Sequence, residues 1–473
     1  MAKAKAVRAA ARLAGGQSAR RLRSWCPPLE HINTALRNGG EKLLRRVREM
    51  EVSNAYASRA VSAWAGYAVR DGIRPTFQTT DDATIGRLRT AWDEWVGCCD
   101  ADACDALWGL QELVARETYA GGEAFVLRAE GESDIGLGLR VYQAEQLPLT
   151  NAGPSTAPLA DNEIIQGIEF DPDGRRVAYH FYEQHPGDLA RTKISMRTTR
   201  RVDAKNVIHV FPRQNAGQIR GLSRLAAGMI RLHLIDGYDD AELDRQRIAA
   251  MFAGFITKPL DDNDDGPIQG VGRDEPGVDA AGDAEADDSA VVIDLAPGLL
   301  QVLDPGEEIT FSNPPQIQGQ YEAFQYRNLL AISAALGVPY HVLTGDVERA
   351  NYSSARVAQL EFKVEVSRFQ NRCMIDQFCR GVRRWFLADA AMADAIQPGD
   401  AEHAWTWNLP RWDWVDPEAE AAAAEKELDL GITSRRRVVE SRGYSLEEID
   451  AEIAADTFRP QESGASEGAS NDG

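Results

Sequence analysis

One stretch restricts what this chain can fold into more than any other: Asp236–Arg247, DGYDDAELDRQR, inside a helical pattern that opens at Leu222. Leu225, Met229 and Leu232 give that pattern an apolar stripe, and then nearly every face turns polar. A helix that is polar all round is not buried in the core of its own domain. It needs pairs along its own surface, for which Glu242–Arg245 and Asp244–Arg247 have the right spacing, or support from partner helices. Such a helix is odd in a monomeric domain and natural in a ring or bundle.

The chain has 473 residues, more than one core usually organises, so two or three packed regions are expected. An apolar fraction of 44% argues against wholesale disorder. No apolar run approaches the roughly 20 residues that cross a bilayer, so no membrane partner is expected. The first residues, MAKAKAVRAAARLAGG, are basic and Ala-rich and lack the continuous apolar core of a secretory signal. An uncleaved cytoplasmic protein fits best, although the start is also similar to an amphipathic, Arg-rich transit peptide.

Net charge is −21 and unevenly spread. Residues 1–48 hold twelve Lys/Arg against Glu30 and Glu41, whereas the rest holds 40 basic and 71 acidic side chains. A body that acidic is no general nucleic-acid binder, because neutralising phosphates takes clustered Lys and Arg. The basic arm suits nucleic acid, an acidic partner, or solvent alone. Six cysteines, Cys26, Cys98, Cys99, Cys104, Cys373 and Cys379, make a poor disulfide framework and read as reduced, mostly buried thiols. A zinc site would need a fourth ligand that no neighbouring CxxC or histidine supplies.

Helical periodicity runs from Leu36 to about Val69, with a second helix starting near Ala55, and returns at about Thr84–Trp95 and Asp105–Tyr119. Residues 122–212 are β-rich. The clearest hairpin pairs Ile164–Phe170 with Arg176–Tyr182 across the turn Asp171–Gly174. Residues 258–289 hold eleven acids, one Lys and one Arg among Gly and Pro, a composition that cannot bury enough surface to fold. Its DDNDDG lacks the DxDxDG spacing of a calcium loop. Strand-like AVVIDLA, LLQVLD and EEITFS follow, then a helix over about Tyr321–Leu336 that Gly337 and Pro339 end. The longest helical pattern buries Phe362, Val366, Phe369 and Cys373 and reaches about Leu387. The Trp pairs of AWTWNLPRWDWVDP (404–417) alternate like strands, and helices close the chain.

No GxxxxGK[ST], HExxH, GxSxG or strand-borne GxGxxG occurs, and no cofactor is expected. The seven histidines are scattered; His209 in VIHVF reads as a half-buried strand residue, not a base. Catalysis is not expected, and the alternative is a metal-dependent nuclease or head-maturation enzyme built on clustered carboxylates.

The segment GVPYHVLTGDVERANYSSARVAQLEF (337–362) resembles the tailed-bacteriophage portal proteins of the lambda type, in which a helix ends in GVP, a loop follows and a long helix ends LEF. Residues 227–257, 167–188, 303–315 and the WxWVDP stretch with GITSRRRVVESRGY (431–444) are similar to the same family, in family order. The resemblance implies an α+β, mainly α, portal fold with wing, stem, clip and crown regions, forming a ring of about twelve copies. It implies a basic arm over 1–29, a wing over 30–221 and a stem helix over 222–250. A clip follows over 251–318 with the acidic insertion 258–289, then a second stem helix over 319–340. A tunnel loop over 341–355, a long helix over 356–401, a crown over 402–457 and a tail over 458–473 complete it. The implied stem residues are Asp239, Asp240, Glu242, Asp244, Arg245 and Arg247; Glu348, Arg349, Asn351 and Tyr352 would lie nearest DNA. Implied partners are further copies, double-stranded DNA, terminase, capsid and scaffold proteins, and head-completion or tail-connector proteins. Implied locations are the capsid vertex of the virion and, during assembly, the host cytoplasm.

Overall fold

A buried asparagine shapes the first helical pair. Asn54 separates α1 (Ile32–Ser53) from α2 (Ala55–Val69), and its Oδ1 accepts from the Ala57 N–H at 2.8 Å, capping α2. A broad apolar face of α2, including Ala57, Ala60, Val61, Trp64 and Ala68, is buried, whereas Arg59, Ser62 and Gly66 are exposed. The computed structural model describes residues 24, 26–79, 81–154, 161–188, 198–251, 255–257, 308–310, 320–348, 352–410, 412, 417–444 and 446–456. Most of the basic arm, the acidic insertion 258–289, AVVIDLA, LLQVLD and the tail lie outside them.

After α2 come β1 (Arg74–Gln78), α3 (Asp82–Val96) and α4 (Leu107–Ala120). Next are β2 (Ala124–Glu130), β3 (Leu137–Tyr142), β4 (Gly153–Pro154), β5 (Glu163–Ile165), β6 (Ile168–Phe170), β7 (Arg176–Tyr182), β8 (Thr199–Asp203) and β9 (Val207–Val210). The expected β-rich block is therefore present, as two antiparallel sheets ordered β3-β2-β9 and β4-β5-β6-β7-β8. Alternation aims Phe125 and Leu127 of β2, and Tyr179 and Phe181 of β7, into one core with Leu147, Ile168 and Val207. Phe125 meets Phe181 edge-on at 5.2 Å.

The hairpin needs one correction. Ile164–Phe170 is not a single strand but β5 and β6, which fold back on each other at Gln166 and Gly167. Both residues take positive φ, 52° and 80°, as a tight two-residue hairpin turn demands. The PDG turn pairs β6 with β7 as expected.

The helical remainder comprises α5 (Met229–Met251), the short β10 (Phe255–Thr257) and β11 (Glu308–Thr310), α6 (Gln320–Leu336) and α7 (Tyr340–Thr344). Then α8 (Tyr352–Phe369) continues through a π-helical stretch, Gln370–Cys379, into α9 (Arg380–Met392). The end holds β12 (Ala404–Asn408), α10 (Pro417–Asp429), α11 (Arg435–Ser441) and α12 (Leu446–Ala455). Phe362, Val366, Phe369 and Cys373 are all buried, as their spacing implies. Trp64 and Tyr67 of α2 receive Phe362, at 6.1 and 5.2 Å between ring centroids. Trp92 of α3 meets Phe386 of α9 and Trp405 of β12, at 5.0 and 5.2 Å. Of the Trp-rich segment 404–417, β12 is a strand, pairing antiparallel with β1.

The chain divides into two units, residues 1–233 with 326–473, and residues 234–325. The smaller carries the β10–β11 ribbon and parts of α5 and α6. Cysteine burial is less complete than expected: Cys99, Cys373 and Cys379 are buried, whereas Cys26 and Cys104 are exposed. Burial pushes the Cys373 thiol up to about 12, which keeps it protonated and unreactive.

Candidate functional site

The polar helix behaves as its composition demands. Leu232 and Ile235 are buried, but after Ile235 no described residue of α5 is. Arg245 grips Glu242 through two N–H donors, at 2.6 and 2.8 Å, and Arg247 reaches Asp244 at 3.3 Å. The Arg245 hydrogen bond holds the Glu242 carboxyl down at about 2, so the pair stays ionised. Pairs of this spacing on an exposed helix contribute about 0.2–0.5 kcal/mol each, enough to favour helix but not to fix a tertiary position.

Asp239 differs from its neighbours. It accepts from the Tyr321 hydroxyl at 2.8 Å and from the Gln325 amide, both on α6. Tyr238 stacks on Tyr321 at 5.8 Å and leans on Phe324 at 5.1 Å. A carboxylate and an aromatic sandwich thus join the two helices within residues 234–325. Asp240, Asp244 and Arg247 stay exposed, and so does Leu243, an apolar residue in an otherwise polar stretch.

The loop after α6 has a fixed base. Gly337 sits at φ 68°, in the left-handed region that L side chains rarely adopt, so the turn favours glycine, and a Cβ there would also displace the Arg224 guanidinium. Tyr119 Oη donates to the Leu336 carbonyl at 2.8 Å, and Arg59 Nε to the Val342 carbonyl at 3.0 Å. Tyr340 packs on Tyr326 at 5.1 Å, and Gly345, in the left-handed region at φ 75°, ends α7. Beyond it, the Glu348 N–H donates to Asp346 Oδ1 at 3.1 Å. Val347 and Glu348 are exposed. Arg349 and Asn351 lie outside the described residues, and Tyr352 opens α8.

A further group had no local signal in the sequence. Arg220, fully buried, donates Nε to Glu123 Oε1 at 2.7 Å, Nη1 to the Gln166 carbonyl at 2.7 Å, and Nη2 to the Leu147 and Ala144 carbonyls at 3.0 and 3.2 Å. Glu123 Oε2 accepts from the Gly221 N–H at 2.7 Å and pairs with His209 Nε2 at 2.9 Å. Arg176 Nη1 meets His209 Nδ1 at 3.2 Å. A guanidinium can only donate, so Nδ1 is the acceptor and Nε2 carries the proton: His209 is a neutral imidazole. Burial agrees, pushing His209 down to about 4. Burial alone would raise Glu123, but Arg220 and His209 together outweigh it and hold the carboxyl at about 2. His209 is thus a strand residue, as expected, with a side chain more deeply buried than its pattern implies. The network locks the β2–β9 edge to residues 218–222, just before the chain enters α5. Among the described residues no group of three or more His, Cys, Asp or Glu is placed to hold a metal ion.

The profile of the phage portal protein, lambda family, matches residues 18–370. The chain belongs to that family. Its portal relatives include the probable portal protein of Halomonas phage phiHAP-1, 23% identical over 89% of this chain and 80% of that one. The portal protein of Escherichia phage N15 is 21% identical over 95% and 90% of the two chains. Portal protein B of Escherichia phage lambda is 23% identical over 95% and 89%. Among solved structures, a chain in the neck of an empty GTA particle computed with C6 symmetry is similar, with 14% identity and a TM-score of 0.47. That likeness covers 88% of this chain and 94% of the other. This chain is accordingly a phage portal subunit, as the ordered resemblance of its segments implies, and the nuclease alternative is not favoured.

Proposed function

We propose that copies of this chain close into a ring of about twelve at one capsid vertex, with α5 and α6 as stem helices around a passage for double-stranded DNA. The observation that carries the reading is the run of α5 beyond Ile235, which has no buried described residue and is held by its own charge pairs. A helix of that kind is stable where neighbouring helices flank one side and water fills the other. The acidic excess suits a passage, because a wall that neutralised many phosphates would hold DNA through counterion release, whereas a mostly repulsive one lets it slide.

In this reading residues 30–221 form the wing, 251–318 the clip and 402–457 the crown. The loop over 341–355 is the tunnel loop, with Glu348, Arg349, Asn351 and Tyr352 nearest the DNA. Its fixed base supports this, since a loop that must meet a moving polymer needs a rooted start. The clip would dock terminase during packaging and head-completion or tail-connector proteins afterwards; capsid and scaffold proteins would surround the wing. The chain itself breaks no bond, and hydrolysis belongs to the packaging motor. Assembly would take place in the host cytoplasm.

Electron micrographs of purified protein test the reading: rings with a central hole are expected. Metal-dependent cleavage of DNA by the purified chain, without rings, would favour the enzyme.

A further inference from the structure

We infer that the outer face of α8 and the arginine cleft at its C-terminal end form one docking surface, occupied by a second copy of this chain. The inference rests on the ring reading and adds which surface makes the contact. The inward face of α8 is closed by Phe362 and Val366, at 4% and 0% exposure. On the outward face Val357, Leu360 and Val364 are 57%, 56% and 60% exposed. Their spacing of three and four residues sets them in one stripe. Three aliphatic side chains in a row on water form a patch, not the scattered exposure a lone subunit tolerates.

The stripe continues along the same helix line to Arg368 and Arg372. With Arg213 and Arg224 these line a cleft of about 490 Å³, whose acidic lining residue is Glu365. Arg368 pairs with Glu365 at 3.0 Å, Arg224 lies 3.8 Å from the same carboxylate, and Arg372 donates to the Arg213 carbonyl at 3.2 Å. Two guanidiniums thus meet on one carboxylate, and two further arginines line the same cleft. Their forks match carboxylate and phosphate alike.

Two features select a protein partner over a DNA backbone. The aliphatic stripe gains nothing from a hydrated duplex but is well buried by a protein. The chain itself supplies the complementary chemistry, with 73 Asp/Glu against 52 Lys/Arg. A face that is apolar at one end and basic at the other fits an acid-edged apolar surface on the next subunit. The contact is heterologous, one distinct face against another, which is the kind that closes into rings. Arginine is also enriched among the residues that carry interface binding energy.

The full-length chain with photo-crosslinking benzoylphenylalanine in place of Leu360 tests this on assembled rings. Irradiation is expected to yield covalent dimers and higher ladders. In parallel, Arg368→Glu with Arg372→Glu should raise the concentration for half-assembly by about tenfold or more, with monomer circular dichroism and melting unchanged. Anisotropy of a labelled duplex of about 30 base pairs is the DNA control. Reversal variants that lose duplex binding yet assemble at the wild-type concentration overturn the inference. So do wild-type rings whose position 360 gives no intersubunit product. A wild-type chain that never assembles removes the ring reading and this inference with it.

Discussion

Replacing Arg220 with methionine probes the most tightly determined group in the larger unit. The guanidinium is fully buried and is committed to Glu123 and to the carbonyls of Gln166, Ala144 and Leu147. Methionine matches the length of the stem but donates nothing. Glu123, 2% exposed, would keep the Gly221 N–H and the neutral His209 as partners and lose its counter-charge. Breaking a buried pair from one side costs about 3–5 kcal/mol, because the stranded charge cannot reach water. In a unit of about 380 residues, an unfolding entropy of about 2.1 cal/mol/K per residue makes each kcal/mol worth about 1–1.5 °C, so a fall of about 3–8 °C is expected. Thermal unfolding at fixed chain concentration is the assay, since assembly would otherwise shift the midpoint by mass action. The companion Arg220→Met with Glu123→Gln removes the charge from both sides and should recover at least half of the loss. An Arg220→Met midpoint within about 2 °C of wild type would refute the reasoning, as would a double variant no better than the single.

Acid should weaken the same network in two stages. His209, at about 4 when folded against an ordinary 6.5, binds its proton more readily in the unfolded chain, so its contribution is full above pH 6.5 and is lost as pH falls to about 4. Glu123, at about 2 against 4.5, loses its share from about pH 4.5 down to 2. Urea midpoints from pH 7 to 4 should therefore fall, and His209→Gln should flatten the upper part of that slope. Asn54→Ala removes the α2 cap and should cost about 1 kcal/mol in urea unfolding, with Asn54→Ser retaining most of it. Glu242→Ala on α5 should leave the monomer's urea midpoint nearly unchanged, because a single pair of this spacing along one helix contributes little.

What could be read from residue order was what local patterning encodes. The polar run Asp236–Arg247 announced a helix without a core because exposure follows helical period. Phe362, Val366, Phe369 and Cys373 announced the buried side of α8 for the same reason. Gln-Gly is a weaker turn signal than Asp-Gly, so the break between β5 and β6 was hidden inside an apolar run. The π-helical stretch at Gln370–Cys379 keeps its apolar spacing and leaves no mark in the pattern. The Arg220–Glu123 pair joins residues 97 apart, and a charged residue between strand segments looks the same whether it is buried or exposed. Asp239 shows the same limit: its acidic neighbours are solvated, whereas it alone reaches Tyr321 and Gln325, a contact that exists only once α6 has returned alongside α5.

The central claim is tested most directly by the mass and rotational symmetry of the purified assembly, measured by native mass spectrometry and electron microscopy over a range of concentrations. A closed ring near twelve times the 51.9 kDa chain, with one central channel, is the expected result. A monomer that persists at every concentration would contradict it.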